Sequence, residues 1–483
     1  MNKRSSWSGQ IAFVLAAAAS AIGLGNLWRF PYLAAQYGGG TFIVVYLALV
    51  VTLGFTLMVT EISVGRLTQQ APLTAYSRMR RGWGFVGFLG TLVPVIIIPY
   101  YCVIGGWVLK YFAVYCQMAF TGSIPAELAG DAAGAGQFFN SFISSNFAPF
   151  GYGMIFTLAC AGVIVLGVKN GIEKSNLVLM PLLFILAIAI SVYVVSLPGT
   201  GDGLKYYLVP NMDSLSVAAK DGRKAFSFAQ LGKTILGAMG QMFYSLSLAM
   251  GIMITYGSYM RREDSIEKCV RRIEIFDTAI ALIAGLMIVP VVYMFAVKTG
   301  TPVKEAMNAG PGLMFVTLPK VFATLGPAGS WIGLAFFALV IFAAATSAIS
   351  LYEACVASVC DLLHIDRKSA TFFTGALILF LATFSALGYG AWGDIRFFGM
   401  QFLDFFDFVS NSVLMPIVAV ASCLFIGWIV RPRTVIDEVT ACGQPFKGRL
   451  LYIFMVKYFA PLLVGLILIQ QVGAALGIQA FKI

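Results

Sequence analysis

A stripe of small side chains in the long apolar segment 329–360 is the first candidate for chemistry. Ala343, Thr346, Ser347 and Ser350 follow i, i+3, i+4 and i+7 spacing, so on a helix they share one face. Hydroxyl groups beside carbonyls that an unwound helix leaves free form an all-oxygen site, which suits a hard cation. A hydrogen bond to its own helix is the simpler explanation for any single hydroxyl. The stripe therefore predicts a cation site where an unwound segment lies against it.

Two apolar segments contain residues that interrupt a helix. The segment from Ala19 to Pro31 holds two glycines, an asparagine, an arginine and a proline, and the segment from Phe243 to Gly251 places small and hydroxyl residues mid-span. A kinked packing helix is the alternative for the first of them. Paired broken helices indicate an inverted-repeat transporter, in which half-helix N-termini bind an anionic group and free carbonyls bind cations.

The composition requires these segments to lie in a membrane. Of 483 residues, 59% are hydrophobic and only 11% are charged, against roughly 25% charged in soluble domains. The long continuous apolar runs exclude a β-barrel. Each run is close to the roughly 20 residues that cross a bilayer, so the sequence predicts an all-α polytopic membrane protein with eleven transmembrane helices. They cover residues 11–35, 41–62, 85–120, 151–168, 176–197, 234–260, 273–297, 329–360, 370–388, 398–430 and 450–478.

The net charge of +11 predicts an orientation, and we expect no nucleic-acid partner. Most lysines and arginines fall in connections on the side of the N-terminus, whereas the first two loops on the other side, around Gly38–Gly40 and 121–150, contain none. This bias predicts a cell-membrane protein with a cytoplasmic N-terminus and an extracellular or periplasmic C-terminus. Lys3 and Arg4 imitate a signal peptide, but the apolar run continues past Ala21, so we expect no cleavage.

The residue types give little support to a zinc site, a disulfide framework or an enzymatic function. The eight cysteines are scattered without a CxxC pair and His364 is the one histidine, so we expect neither a zinc site nor a disulfide framework. There is no HExxH motif or Ser/His dyad, so we expect no enzyme. The longest polar stretches are loops of about 30 residues, in which short surface helices are expected, for example within Thr301–Leu325.

Three sequence runs resemble the neurotransmitter:sodium symporter family and its bacterial amino-acid transporters. They are GLGNLWRFPY from Gly23 to Tyr32, GGGTF from Gly38 to Phe42, and QMFYSLS from Gln241 to Ser247. The likeness extends from Arg4 to about Asp407 and more weakly through the last span. It implies sodium-driven alternating access on the bacterial leucine-transporter fold.

That fold would divide the chain into two inverted repeats of five helices, with helices 1 and 6 discontinuous. The first repeat would cover residues 1–200 and the second 201–435, with helix 11 in 436–483. The same resemblance implies a motif on helix 5, Gly171-x9-Pro181, that is linked to local unwinding. A loop glycine and a tolerated kink explain these two residues equally well.

The resemblance also implies two sodium sites and one amino-acid site around the broken helices. One sodium site would use the Ala21 carbonyl, Asn26, Ser245 and Asp277 together with the substrate carboxylate. The other would use the carbonyls of Ala19, Ile22 and Ala343 and the hydroxyls of Thr346 and Ser347. The amino acid would contact Ser20, Ala21, Leu24, Gly25, Ile97, Tyr101, Tyr244, Ser245, Ser247, Met250, Ser347 and Leu351. A carboxylate shared by ion and substrate would couple their binding.

Two charge pairs would close this site from either side of the membrane. They are Arg29 with Asp407 on the outer side, and Arg4 with Asp361, beside Trp7 and Tyr259, on the inner side. An unpaired charge inside the membrane costs at least about 2.5–3.5 kcal/mol, which favours a functional interpretation. For the inner pair, simple extension of the side chains into water is the alternative.

Departures from the family pattern narrow the expected substrate and ions. Relatives that require chloride have a neutral residue at the position of Asp277 and a serine at that of Ala281, so a fixed carboxylate here implies transport without chloride. Monoamine carriers have an aspartate at the position of Gly23, and its absence favours an α-amino acid. The flexible Met250 between Ala249 and Gly251 favours a hydrophobic L-amino acid of medium to large size.

Two other functions remain open at this point. One is a proton-coupled amino-acid transporter on the same fold, for which Asp277 is a conceivable titratable group. The other is an amino-acid sensor that binds its ligand without transporting it. The oligomeric state is left open by the sequence.

Overall fold

A computed structural model describes residues 5–122, 134–218, 224–307 and 310–475. Within these ranges, nine helices are long and apolar enough to cross a membrane. They are α3 (Gly40–Thr68), α4 (Gly84–Thr121), α5 (Ala148–Val165), α6 (Val168–Ser196), α9 (Ile266–Thr299), α10 (Pro327–Leu363), α11 (Arg367–Leu387), α12 (Phe402–Ile429) and α14 (Arg449–Ala475).

A tenth span, and the segment at the sixth predicted span, are each made of two shorter helices. The first consists of α1 (Gln10–Ala21) and α2 (Gly25–Gln36), which are bent by 53° at their junction. The second consists of α7 (Phe228–Ser245) and α8 (Ile252–Gly257). The first pair stands at the first predicted span and is apolar enough to cross a membrane as one unit, which gives ten spans in the described residues. The second pair, separated by residues 246–251, stands where the sixth of the eleven spans was predicted.

The connections between spans contain short elements. Short helices cover Pro72–Met79, Gly134–Ile143, Gly201–Leu208, Val303–Ala306 and Leu313–Ala323, and α13 covers Pro432–Val439. Single 3-10 turns cover Met212–Leu215 and Ala441–Gly443. Strands β1 (Ser216–Ala218) and β2 (Lys224–Phe226) form an antiparallel pair with Ser216 opposite Phe226. The surface helices within 301–325 were predicted, whereas the hairpin was not.

The break between α1 and α2 follows from one side chain that replaces a helix bond. Ile22 is extended (φ −79°, ψ 98°), which ends α1. The Gly23 amide then donates to Asn26 Oδ1 at 3.1 Å instead of continuing the helical ladder. Backbone groups freed within a membrane need such internal partners, because no water is available to them.

The break between α7 and α8 is a six-residue linker, 246–251. Ser247 and Ala249 have φ of 52° and 58°, and Gly251 has φ of 70°. Non-glycine residues with positive φ are strained, and such residues cluster at functional sites. The Ala249 amide donates to Glu61 Oε1 of α3 at 2.7 Å, and Glu61 is buried. A carboxylate from a neighbouring helix thus holds the unwound backbone.

Candidate functional site

The two helix breaks face a shared cavity of about 330 Å³. Clefts between the helices of a bundle are preferred places for small-molecule sites. The lining residues come from α1, α2, α4, α7, α8, α10 and the linker, and they are Ser20, Ala21, Gly23, Gly25, Asn26, Ile97, Tyr101, Tyr244, Ser247, Met250, Ile252, Ser347 and Leu351.

Ten of the twelve residues predicted to contact the substrate line this cavity. The other two, Leu24 and Ser245, are not among the lining residues, but each binds a residue close to the cavity. The Leu24 amide donates to the Tyr101 hydroxyl at 3.4 Å, and Ser245 binds Asp277. Gly23 and Ile252 are lining residues that we did not predict.

The polar part of the wall is built from helix ends and hydroxyls. Because α2 begins at Gly25, the positive end of its dipole lies at the cavity. Ser247 Oγ donates to the Ser20 carbonyl at 3.0 Å and so joins the two unwound segments. The Gly25 carbonyl accepts from Gln241 Nε2 at 3.1 Å. The helix end at Gly25 therefore gives this wall a positive partial charge, which favours an anionic group.

The apolar part of the wall comes from four aliphatic or thioether side chains and a ring. Ile97, Met250, Ile252 and Leu351 face the cavity together with Tyr244. A Cβ at Gly25 would lie 2.4 Å from a carbon of the Tyr244 ring, so this ring packs directly on the α2 backbone. The cavity thus combines a small polar area with a larger apolar one, as the binding of an amphipathic molecule requires.

Asp277 of α9 is completely buried beside the break in α1–α2. Its carboxylate accepts from Asn26 Nδ2 at 2.8 Å, from Ser245 Oγ at 2.8 Å and from the Tyr46 hydroxyl at 3.2 Å. All three partners are neutral donors. A buried carboxylate without a charged partner is costly, so it needs either a counter-charge or a proton. The structure thus brings together the three side chains that the resemblance assigned to one sodium site.

Part of the second set of predicted sodium ligands meets where α10 packs against the end of α1. Ser347 Oγ lies 3.1 Å from the Ser20 carbonyl and 3.3 Å from the Ile22 carbonyl. Thr346 Oγ1 lies 3.1 Å from the Ala343 carbonyl of its own helix. Ala19 is fully buried at the end of α1. Of the five predicted ligands, Ser347 and the Ile22 carbonyl are thus brought together across two helices, and Thr346 meets the Ala343 carbonyl within α10, all through oxygens that suit a hard cation.

Arg29 and Asp407 are not in direct ion-pair contact within the described part of the chain. Asp407 instead accepts from the Tyr100 hydroxyl at 3.0 Å and from Asn411 Nδ2 at 2.5 Å. The Arg29 guanidinium lies 5.8 Å from the centre of the Tyr244 ring, as a cation–π contact. The predicted outer pair is thus not formed in this structure, because Asp407 binds Tyr100 and Asn411 while Arg29 lies over the Tyr244 ring.

The predicted inner cluster is packed under α8. Trp7 is fully buried and donates from Nε1 to the Tyr256 carbonyl at 3.0 Å. Its backbone amide donates to the Tyr259 carbonyl at 3.1 Å. Asp361 accepts from the Ala71 amide at 2.6 Å. Arg4, the predicted partner of Asp361, lies outside the described residues.

Two buried carboxylates near the Trp7 segment were not predicted by our sequence analysis. Glu353 of α10 accepts from the Tyr259 hydroxyl at 2.8 Å and forms an ion pair with Arg367 of α11. Glu173 accepts from the amide and hydroxyl of Ser8. The signal for Glu353 was available, because an ionisable residue within an apolar span is a candidate functional residue.

The motif Gly171-x9-Pro181 lies on α6 without a break in the helix. Gly171 belongs to a π-helical stretch, Val168–Glu173, and Pro181 is inside the regular helix that follows. A Cβ at Gly171 would lie 2.0 Å from the Val163 carbonyl oxygen, so close backbone packing already explains this glycine. The suggested unwinding of this helix remains a hypothesis.

Comparisons with known proteins add to this geometry. The model of the sodium:neurotransmitter symporter family matches residues 4–148 and 149–480. The chain is 31% identical over 472 residues to the uncharacterized sodium-dependent transporter YhdH of Bacillus subtilis, with 97% of each chain covered. It is 23% identical over 477 residues to the human sodium- and chloride-dependent GABA transporter 2, covering 90% of this chain and 75% of that one. A crystal structure of MhsT in complex with L-phenylalanine matches with a TM-score of 0.82 and 32% identity, covering 96% of this chain and 99% of that one.

Proposed function

This chain belongs to the sodium:neurotransmitter symporter family, and from that premise we propose that it imports a hydrophobic L-amino acid together with sodium and without chloride. The family membership makes it a sodium-dependent, multi-pass membrane transporter and not an enzyme. The cargo, the number of sodium ions and the independence from chloride are our proposals.

The observation that carries this proposal is the combination of groups around the central cavity. The free helix end at Gly25 and the Tyr101 hydroxyl would bind the carboxylate of the amino acid. Carbonyls near Ala21 and Tyr244 would accept from its ammonium group. Apolar side chains would surround its side chain, in keeping with the L-phenylalanine named for the related MhsT structure.

We assign one sodium ion to the Asp277 cluster and a second to the Ser347 cluster. At the first, the substrate carboxylate would complete the coordination by Ala21, Asn26, Ser245 and Asp277. Each ligand would then raise the affinity for the other by the same factor, which is the physical basis of coupled transport. In alternating access, Arg29 would move onto Asp407 as the outer side closes, and the Trp7 segment would leave α8 as the inner side opens.

The substitution Ser347→Ala tests the second sodium site. Loss of a hydroxyl that binds a cation costs about 1.5–3 kcal/mol, so we expect the apparent sodium affinity of uptake to fall by about tenfold or more. The order of preference among amino acids should be retained. Sodium titrations of radiolabelled amino-acid uptake in proteoliposomes measure both quantities.

Ser350→Ala is the matched control on the same helix. The Ser350 hydroxyl bonds to the Thr346 carbonyl and to the Tyr256 hydroxyl, away from the α1 carbonyls. Its sodium titration should match that of the wild type. An unchanged sodium affinity in Ser347→Ala, with normal protein levels, would remove this residue from the sodium site.

The transport proposal itself is tested by uptake into proteoliposomes with ions exchanged one at a time. We expect uptake to stop when choline replaces sodium and to continue when gluconate replaces chloride. Competition by the twenty amino acids should place large hydrophobic L-amino acids first. Undiminished uptake in choline under an imposed pH gradient would favour proton coupling, and binding without counterflow would favour a sensor.

We also propose that the N-terminus is cytoplasmic and the C-terminus is extracellular or periplasmic. The basic connections predict this orientation. Membrane-impermeant thiol labelling of the exposed Cys442, in the connection between α12 and α14, distinguishes the two sides. Labelling from outside intact cells would reverse the assignment.

A further inference from the structure

A second cavity, rich in basic residues, lies where α12, α13 and α14 meet. It has an empty volume of about 880 Å³ and is open to its surroundings. Its lining carries four cationic side chains, Arg431, Arg433, Arg449 and Lys457, against one carboxylate, Asp437. This surplus of positive charge is collected in a concave site, in contrast to the solvated basic residues of an ordinary loop. The cavity therefore suits an anionic group.

The cations of α14 reach from the end of the helix into its apolar part. Arg449, Ile453 and Lys457 all line the cavity and follow i, i+4 and i+8 spacing. Lys457 thus lies about 12 Å further along the axis than Arg449. Its neighbours Tyr458 and Phe459 are 53% and 40% exposed at the protein surface. A lysine at this depth needs an anionic partner or must extend towards the interface.

Aromatic side chains place this cavity at the level of the lipid headgroups. Trp428 is 53% exposed, and its Nε1 donates to the Lys457 carbonyl at 3.1 Å. The Lys457 ammonium lies 5.5 Å from the centre of the Trp428 ring, and Tyr458 packs edge-on against the same ring. Tryptophan and tyrosine are enriched where a membrane protein meets the headgroups. Lys457 therefore lies beside the Trp428 and Tyr458 rings at the membrane–water interface.

The backbone of both helices departs from a regular α-helix at this level. α12 has a π-helical stretch at Phe425–Ile429, and α14 has one at Met455–Phe459. A Cβ at Gly427 would lie 3.0 Å from the Val456 carbonyl oxygen, so the glycine allows the two helices to meet closely. Isolated π-helical turns occur frequently at functional sites. Here they position Trp428 and Lys457 beside the cavity.

An apolar stripe runs along α14 beside the cavity and beyond it. Its five side chains follow an i+4 spacing, and all are more than half exposed. They are Leu450, Phe454, Tyr458, Leu462 and Leu466. A molecule that occupies the cavity and also covers this stripe must have an anionic head and a long apolar part.

We propose that this cavity binds an anionic glycerophospholipid. Its phosphate would lie among Arg431, Arg449 and Lys457, and an acyl chain would follow the α14 stripe. Basic pockets between transmembrane helices are suited to anionic lipid headgroups. The opposite face of α13 carries Glu438, which binds Arg66 of α3. α13 therefore lies between the proposed lipid site and α3.

Fluorescence quenching of Trp428 by lipids with brominated chains tests this proposal. The full-length protein is placed in phosphatidylcholine nanodiscs that contain the same small fraction of either brominated phosphatidylglycerol or brominated phosphatidylcholine. The Trp428 contribution is the difference between wild type and Trp428→Phe, since the chain has seven tryptophans. We expect the anionic lipid to be enriched at Trp428 by about tenfold. Equal quenching by the two lipids, or none by either, overturns the proposal.

Charge variants and a soluble competitor test whether the quenching depends on the basic side chains of the cavity and on the intact lipid. The triple variant Arg431→Gln, Arg449→Gln and Lys457→Gln should lower the quenching by phosphatidylglycerol to that by phosphatidylcholine, and Lys457→Gln alone should lower it partly. The matched control neutralises Lys169, Lys174 and Lys368, exposed lysines outside the cavity, and should retain the enrichment. Release of the lipid by millimolar glycerol phosphate would show a site for free phosphate and contradict the proposal. Retention of the lipid supports it.

Discussion

Asp277→Asn is expected to make transport depend on chloride. Two unit charges about 4 Å apart attract each other by about 4 kcal/mol where the effective dielectric constant is about 20. Removal of the buried negative charge should therefore lower the apparent sodium affinity by at least about tenfold in chloride-free medium. A chloride ion that enters near the neutral side chain should restore part of this loss, whereas chloride should leave the wild type unchanged. Sodium titrations of uptake, with and without chloride, measure the effect.

The packing around Asp277 makes the amide substitution a clean test of charge. The amide side chain would keep the size of the carboxylate and an oxygen that accepts from Tyr46, Asn26 or Ser245, which now bind Asp277. Ala281→Ser, one helical turn away, is the matched control, because it introduces the hydroxyl expected of chloride-dependent relatives but retains the carboxylate. The control should transport without chloride. Normal chloride-free transport by Asp277→Asn would show that this carboxylate has another role.

The break in the first discontinuous span could be predicted because its cause is local. Glycine, proline and asparagine close together at membrane depth disfavour a continuous helix whatever surrounds them. For the hydroxyl stripe, the helical spacing predicted the contacts of the side chains only in part. Ser347 reaches the carbonyls of α1, whereas Ser350 binds its own helix and Tyr256. Helical spacing places both residues on one side of α10, but the packed neighbours decide which hydroxyl meets the unwound segment.

The contacts between distant segments could not be predicted from spacing. Glu61 and Ala249 are 188 residues apart, yet the carboxylate of one holds the backbone of the other. Arg29 and Asp407 were paired on the resemblance alone, and the competing partners Tyr100 and Asn411 gave no signal in the sequence. Which buried charges pair depends on the rotation and depth of each helix, and these are set by the packing of the whole bundle.

The ion pair between Arg66 and Glu438 is expected to contribute strongly to the stability of the protein around α13. Arg66 Nε lies 2.6 Å from Glu438 Oε1, across 372 residues, and the two side chains are 0% and 7% exposed. Arg66 also donates to the Asp264 carbonyl at 2.7 Å, so one side chain ties α3 to α13 and to the connection before α9. Arg66→Met leaves a buried carboxylate without its partner, which costs about 3–5 kcal/mol. We expect a large fall in the midpoint of thermal unfolding of the purified protein.

A second substitution separates the cost of leaving the Glu438 carboxylate unpaired from the cost of losing the other contacts of Arg66. In Arg66→Met with Glu438→Leu both charges are replaced by apolar groups, a change that is often neutral or stabilising for buried pairs. The double variant should therefore recover much of the loss, short of the bonds that Arg66 made to backbone carbonyls. Glu263→Gln is the control, because it breaks an exposed pair with Arg261 in the same connection, with exposures of 68% and 39%. Exposed pairs contribute about 0–1 kcal/mol, so its midpoint should hardly move. If Arg66→Met unfolds no earlier than Glu263→Gln, the buried pair does not hold α13 in place, and the packing of the apolar face of α13 must do so instead.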